Sequence, residues 1–247
     1  MKERLLAARL YLVTPGDPPA GPLDEFLPRV LEAGVDIVQL RDKHREARPL
    51  LEFAAVVRRR TREFGALFFV NDRVDLAIAA EADGVHVGQQ DLPAAEARRQ
   101  MGPQALVGLS THAPGEILAA VSSKETDYIA VGPVYPTPTK PGRPAVGREL
   151  VRFAAERSAQ PFFAIGGIDR GNLEEVLAAG ASRVAVVRAL TEAEDPGAAA
   201  RWLSEGLRTR VGGPGGSSSR RAKRGDKLRI PPGSWDAPKG RATSGEE

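Results

Sequence analysis

Asp72 and Asp91 stand about nineteen positions apart, each just past a short apolar run: Leu67-Phe68-Phe69-Val70 before Asn71-Asp72, and Gly84-Val85-His86-Val87 before Gly88-Gln89-Gln90-Asp91. That separation accommodates one strand-helix-strand unit. If the two runs are neighbouring parallel strands, their ends emerge at one edge of the sheet and bring both carboxylates together. Two acidic oxygen donors suit a hard divalent cation such as Mg2+, which keeps several waters and shares itself with substrate phosphates. Solvated loop aspartates are the alternative, because Asp is common in turns.

Other polar groups also follow apolar runs. In Gln39-Leu40-Arg41-Asp42-Lys43, alternation aims Gln39, Arg41 and Lys43 to one side and Leu40 to the other. A forked guanidinium beside an ammonium recognises phosphate; a solvated charged loop is the bland alternative. Gly108-Leu109-Ser110-Thr111-His112 offers hydroxyls and an imidazole. In Gly132-Pro133-Val134-Tyr135-Pro136-Thr137-Pro138-Thr139-Lys140, three prolines restrict the backbone, so that Thr137, Thr139 and Lys140 meet an anion at little ordering cost. Ala164-Ile165-Gly166-Gly167-Ile168 lets backbone N–H groups approach a phosphate, and Arg188 follows Val184-Ala185-Val186-Val187. Anion binders at four places and carboxylates at two imply two phosphorylated moieties, one of them carrying the metal.

These groups must be positioned by strands. Eight runs qualify: Arg9–Thr14, Asp36–Arg41, Leu67–Asn71, Gly84–Val87, Ala105–Ser110, Tyr128–Gly132, Phe162–Gly166 and Arg183–Val187. Their continuous apolar character is that of strands buried on both faces. Helices are expected between them, beginning near Leu23, Asp72, Pro93, Ala113, Gly147, Gly171 and Asp195. The longest spans roughly Glu46 to Phe64, with Leu50, Phe53, Ala54, Val57, Thr61 and Phe64 on one stripe and Arg58, Arg59, Arg62 and Glu63 left to solvent. Gly65 closes it. This alternation predicts an α/β fold, a (β/α)8 barrel, ahead of an open doubly wound sheet. In such a barrel chemistry sits on the loops that follow the strands.

The 247 residues carry a formal net charge of +3 and no cysteine. Disulfides and thiol catalysis are excluded. No apolar run approaches a membrane span and the N-terminus lacks a secretory pattern, so a soluble, cytoplasmic protein without a membrane partner is expected. Residues 211–247 hold eight Lys/Arg against four Asp/Glu, which leaves residues 1–210 at −1. The basic character therefore belongs to a Gly/Pro/Ser-rich tail, expected to be disordered, and the catalytic domain at 1–210 shows no nucleic-acid signature. The oligomeric state stays open, a homo-oligomer included. His86 reads as a structural hydrogen-bonding residue, His44 as solvated, and Trp202 as packing a final amphipathic helix.

Taken together, Gln39–Lys43, Asn71–Ala77, Ala82–Asp91, Gly108–His112, Thr137–Lys140 and Ala164–Ile168 resemble thiamine phosphate synthase, in order and at matching spacing over about residues 9–200. The resemblance implies a Mg2+-dependent transferase of thiamine biosynthesis that joins 4-amino-5-hydroxymethyl-2-methylpyrimidine diphosphate to a thiazole phosphate and releases pyrophosphate. It implies that Asp72 and Asp91 hold Mg2+. Gln39, Arg41, Lys43, Asn71, Ser110 and Lys140 would contact the pyrimidine diphosphate, with Arg41, Lys43, Ser110 and Lys140 catalytic. Thr137, Thr139, Gly167, Val187 and Arg188 would hold the thiazole phosphate, although a Ser is the residue expected where Arg188 stands. The rivals are the thiazole tautomerase of the same superfamily, which needs neither Asp91 nor Lys140 and is thought to use a histidine in the region of His112, and a non-catalytic barrel that binds phosphate ligands.

Overall fold

The computed structural model describes residues 1–137 and 144–209. The expectations for Pro138, Thr139 and Lys140, and for a tail at 211–247, lie outside the described residues. The elements are α1 (Lys2–Ala7), β1 (Leu10–Thr14), α2 (Leu23–Glu32), β2 (Ile37–Leu40), α3 (Ala47–Phe64), β3 (Leu67–Asn71), α4 (Val74–Ala79), β4 (Gly84–Val87), α5 (Ala94–Met101), β5 (Leu106–Thr111), α6 (Pro114–Ser122), β6 (Tyr128–Val131), α7 (Gly147–Arg157), β7 (Phe162–Ile165), α8 (Leu173–Ala178), β8 (Val184–Val186), α9 (Arg188–Thr191) and α10 (Pro196–Thr209). All eight strands pair in parallel in sequence order and β8 returns to β1, closing the barrel.

Closure gives each strand two apolar environments. Outward residues such as Leu10, Leu12, Val38, Leu40, Phe68 and Val70 pack under the helices, whereas Tyr11, Val13, Ile37, Leu67, Phe69, Leu106, Tyr128 and Phe163 fill the interior. Inside, the rings of Tyr11, Phe69, Tyr128 and Phe163 lie 5.3 to 6.0 Å apart in the pairs that touch. They form a plug across the barrel, and polar groups begin only above it.

The opposite end is fastened by three aspartates, each just before an even-numbered strand. Asp36 accepts the backbone N–H groups of Arg9 and Leu10, Asp83 that of Phe68, and Asp127 that of Val107. Each thereby ties the start of its own strand to the strand before it. Arg58 pairs with Asp83 at 3.0 Å and Arg98 with Asp127.

Three expectations change. Helix α1 is too short to show periodicity in sequence; it caps this end by inserting Leu5 into the interior cluster while Arg4 donates to the carbonyls of Gly65 and Ala66. The single turn α9 was likewise not expected. In α3, Leu50, Ala54, Val57 and Thr61 are buried, but Phe64, at the last turn, is exposed, and Arg58 turns inward to Asp83 instead of facing solvent. A buried carboxylate is a stronger demand on Arg58 than the stripe could reveal.

Asp83 is buried and holds both a strand amide and a guanidinium. Asp83→Ala should therefore lower the unfolding free energy by about 2 kcal/mol, because it leaves a partly buried cation and a buried backbone donor without their acceptor. Urea unfolding checks this; a loss below about 1 kcal/mol would mean that water replaces the carboxylate.

Candidate active site

The strand ends of the plugged barrel enclose a cavity of about 330 Å³. Its floor is set by strand parity. Gln39 on β2, His86 on β4 and Ser110 on β5 are the inward residues one step above the aromatic plug, and all three are buried yet line the cavity. Arg41 and Asn71, at the ends of β2 and β3, continue the same wall.

The two aspartates meet as the parallel pairing of β3 with β4 requires. Asp72 sits in the left-handed region at φ 59°, a conformation Asp tolerates better than most side chains. Its amide donates to the His86 carbonyl at 2.8 Å, which pins the turn. Lys43 Nζ lies 2.8 Å from Asp72 Oδ2. Asp91 is held by its own turn, its Oδ2 accepting the Gly88 amide at 2.9 Å. Burial pushes the Asp72 carboxyl above the usual carboxylate range; Lys43 opposes that rise, and Asp91, within hydrogen-bonding reach, adds to it. Burial also lowers the Arg41 guanidinium, while Asp72 and Asp91 pull it back up.

Two carboxylates crowded together beside Lys43 and Arg41 fit Mg2+, which takes one or two protein carboxylates and completes its shell with water and phosphate oxygens. Asp72 and Asp91 would hold it. Among the described residues no group of three or more acidic, His or Cys side chains forms a fuller metal cage.

The opposite wall belongs to the loops after β6, β7 and β8. Val134 and Tyr135 amides donate to the Ile165 and Gly166 carbonyls, so that the first loop is laced to the second. Gly167 has φ 65°, and a Cβ there would fall 2.7 Å from that of Tyr135. Only glycine allows this approach. Thr137, Gly167, Val187 and Arg188 all line the cavity. Arg188 is half-exposed and stands 3.9 Å from Glu192, so it faces the rim with a carboxylate beside it.

The structure thus brings Gln39, Arg41, Asn71, Ser110, Thr137, Gly167, Val187 and Arg188 to one cavity and sets Lys43, Asp72 and Asp91 together beside Arg41. Thr139 and Lys140 lie outside the described residues. Several lining residues carried no motif. Tyr11 belongs to the cavity floor and was concealed inside an apolar run, although its parity with Val13 marks it as inward. Asp169 and Glu192 place carboxylates on the wall formed by the loops after β7 and β8, and His112 lines the cavity with Nδ1 against the Gly132 carbonyl.

A parallel barrel with paired carboxylates, cations and glycine loops at the C-terminal ends of its strands has the groups with which enzymes of this fold frequently bind phosphorylated ligands. Comparison with known proteins is more specific. The family described as thiamine monophosphate synthase matches residues 10–190, and the chain belongs to that family. It is 56% identical over 207 residues to the thiamine-phosphate synthase of Gloeobacter violaceus, covering 84% of this chain and 60% of that longer protein. It is 52% identical over 201 residues to the thiamine-phosphate synthase of Acidothermus cellulolyticus, covering 81% and 95% of the two chains. The structure of thiamine phosphate pyrophosphorylase from Pyrococcus furiosus superposes with a TM-score of 0.74 at 35% identity, covering 86% of this chain and 99% of that one.

The raised Asp72 carboxyl has a consequence for stability. Folded Asp72 binds its proton more tightly than unfolded Asp72, so stability falls as pH rises through the ordinary carboxylate range near about 3.9 and levels off above the raised folded value. Asp72→Asn removes that slope. Without added metal, the urea midpoint of D72N should gain on wild type as pH rises through this window; a constant difference would mean that Lys43 fully offsets the buried charge.

Proposed function

We propose that this chain is a thiamine phosphate synthase: a cytoplasmic, Mg2+-dependent transferase that condenses 4-amino-5-hydroxymethyl-2-methylpyrimidine diphosphate with 4-methyl-5-(2-phosphoethyl)thiazole to give thiamine phosphate and pyrophosphate. The observation that carries the reading is a cavity with Arg41 on one wall, the Asp72, Asp91 and Lys43 cluster beside that arginine, and glycine-containing loops on the opposite wall. A single phosphorylated ligand would not use both. Among the described residues no helix is long and apolar enough to cross a membrane.

The bond that breaks joins the pyrimidine methylene to the diphosphate oxygen, which leaves with the electron pair. The bond that forms takes the lone pair of the thiazole nitrogen. That nitrogen carries no proton, so no side chain has to act as a base. What remains is to stabilise the departing charge, the largest contribution in reactions of this kind. Arg41, Lys43 and Lys140 supply cations to the diphosphate, and Gln39, Asn71 and Ser110 orient the pyrimidine diphosphate. Bound between Asp72 and Asp91, Mg2+ would neutralise diphosphate oxygens. Thr137, Thr139, Gly167, Val187 and Arg188 hold the thiazole phosphate so that its nitrogen faces the methylene. This arrangement favours bond breaking ahead of bond making, through a cation delocalised into the aminopyrimidine ring.

Incubation of the purified chain with both substrates, with Mg2+ or with EDTA, tests the reading. Thiamine phosphate and pyrophosphate should appear in equal amounts, and only with Mg2+. No product despite retained thiazole phosphate binding would point to a tautomerase or a binding protein instead. Asp72→Ala and Asp91→Ala should each abolish most Mg2+-dependent turnover, and Arg41→Ala should lower kcat by about 100-fold, the cost of removing one donor aimed at developing charge. Unchanged turnover in both aspartate variants would refute the metal assignment. Electron-withdrawing substituents on the pyrimidine should slow the chemical step; no effect would remove the cationic path.

A further inference from the structure

The buried polar groups beneath the cavity form one continuous chain. Gln39 Nε2 donates to the Tyr11 hydroxyl at 2.7 Å, the Tyr11 and Tyr128 hydroxyls are 2.8 Å apart, Tyr128 lies 3.0 Å from His86 Nδ1, and His86 Nε2 lies 2.9 Å from Ser110 Oγ. It spans the barrel from β2 to β5. Both ends line the cavity, and all five side chains are at least nine-tenths buried.

Proton counting gives the chain a direction. A neutral phenol has one proton to donate. Burial pushes both tyrosine hydroxyls upward from their ordinary value, so both keep that proton. Since Gln39 donates to Tyr11, Tyr11 passes its proton to Tyr128 and Tyr128 passes its own to His86 Nδ1. The opposite assignment would give the Tyr11 oxygen two donors and leave its proton without an acceptor among the described residues. With Nδ1 accepting, the imidazole proton is on Nε2 and is donated to Ser110. The Ser110 hydroxyl proton then points away from His86, and the Gln39 carbonyl oxygen is left uncommitted by the chain. The fold supports this placement sterically: a Cβ at residue 108 would lie 2.4 Å from the Tyr128 hydroxyl, so a glycine on β5 makes room for it.

We propose that Tyr11, Tyr128 and His86 are positioning residues whose one-way relay presents a hydroxyl donor at Ser110 and a carbonyl acceptor at Gln39 to the substrate. The match is to a ligand carrying an exocyclic amino group as donor and a phosphate oxygen or ring nitrogen as acceptor. This rests on the assignment of the pyrimidine diphosphate to that wall. Reversal of the Gln39 amide would reverse every bond in the chain and present the opposite pattern.

The deciding measurement is the 15N NMR tautomer of His86 in the unmodified protein. The relay requires a neutral ring protonated on Nε2 and bare on Nδ1; a ring protonated on Nδ1, or on both nitrogens, overturns it. Kinetics test its role separately. Tyr128→Phe should lower kcat/KM for the pyrimidine diphosphate about tenfold, the scale of one well-placed hydrogen bond, with the KM for the thiazole phosphate unchanged. In a Ser110→Ala background the same change should cost less than about twofold, because Tyr128 acts through Ser110. A cost undiminished in that background would assign Tyr128 to general packing and overturn the proposal. The two readings fail separately: a protein without synthase turnover whose His86 carries its proton on Nε2 loses the function but keeps the relay, and a working synthase with the proton on Nδ1 loses only the relay.

Discussion

Closure of the parallel ladder is the constraint on which the rest depends. Eight strands hydrogen-bonded in a ring leave no edge, and every second side chain must then be accommodated inside. In this chain the middle of that space is taken by Tyr11, Phe69, Tyr128 and Phe163. Because the rings close the barrel beneath the site, residues one step further along each strand can be polar without being exposed from below. Gln39, His86 and Ser110 occupy that level. The two hydroxyls of the plug serve both functions: their rings pack in the aromatic layer and their oxygens satisfy the polar layer above.

The aspartates divide by position along the strand. Asp36, Asp83 and Asp127, at the N-terminal ends, spend their charge on backbone amides and on arginines. Asp72 and Asp91, at the C-terminal ends, have a lysine, an arginine and each other as neighbours. The first set is satisfied within the protein and stabilises the barrel. The second set is held with two carboxylates close together and one carboxyl raised by burial, the kind of perturbed group that clusters at functional sites. One residue type is therefore satisfied within the protein at one end and gathered with other charged groups at the end where barrels carry their chemistry.

Much of the architecture was legible from the spacing of apolar runs. The eight strands were found within a residue or two at each end, because strands buried on both faces are continuous in apolar character. The proximity of Asp72 to Asp91 followed from assigning their runs to neighbouring parallel strands. The single helical turn of α9 and the six residues of α1 were not legible, since neither is long enough to express a period. Nor was the inward turn of Arg58, which answers a carboxylate twenty-five positions away in sequence.

The sequence by itself determined which residues could do chemistry and that they would gather at one end of a barrel, since apolar periodicity sets the strands and strand ends share an edge. Tertiary structure alone decided how those residues are wired. Tyr11, Tyr128 and His86 lie on three different strands, and nothing in the positions 11, 86 and 128 indicates that their polar atoms meet within 3.0 Å. Their contact depends on the stagger of the strands around the closed barrel and on a glycine leaving space at residue 108. Alternation along a strand is a local property that a sequence displays. Registry between strands is set by packing over the whole ring, and side-chain hydrogen bonding across the interior follows from that registry.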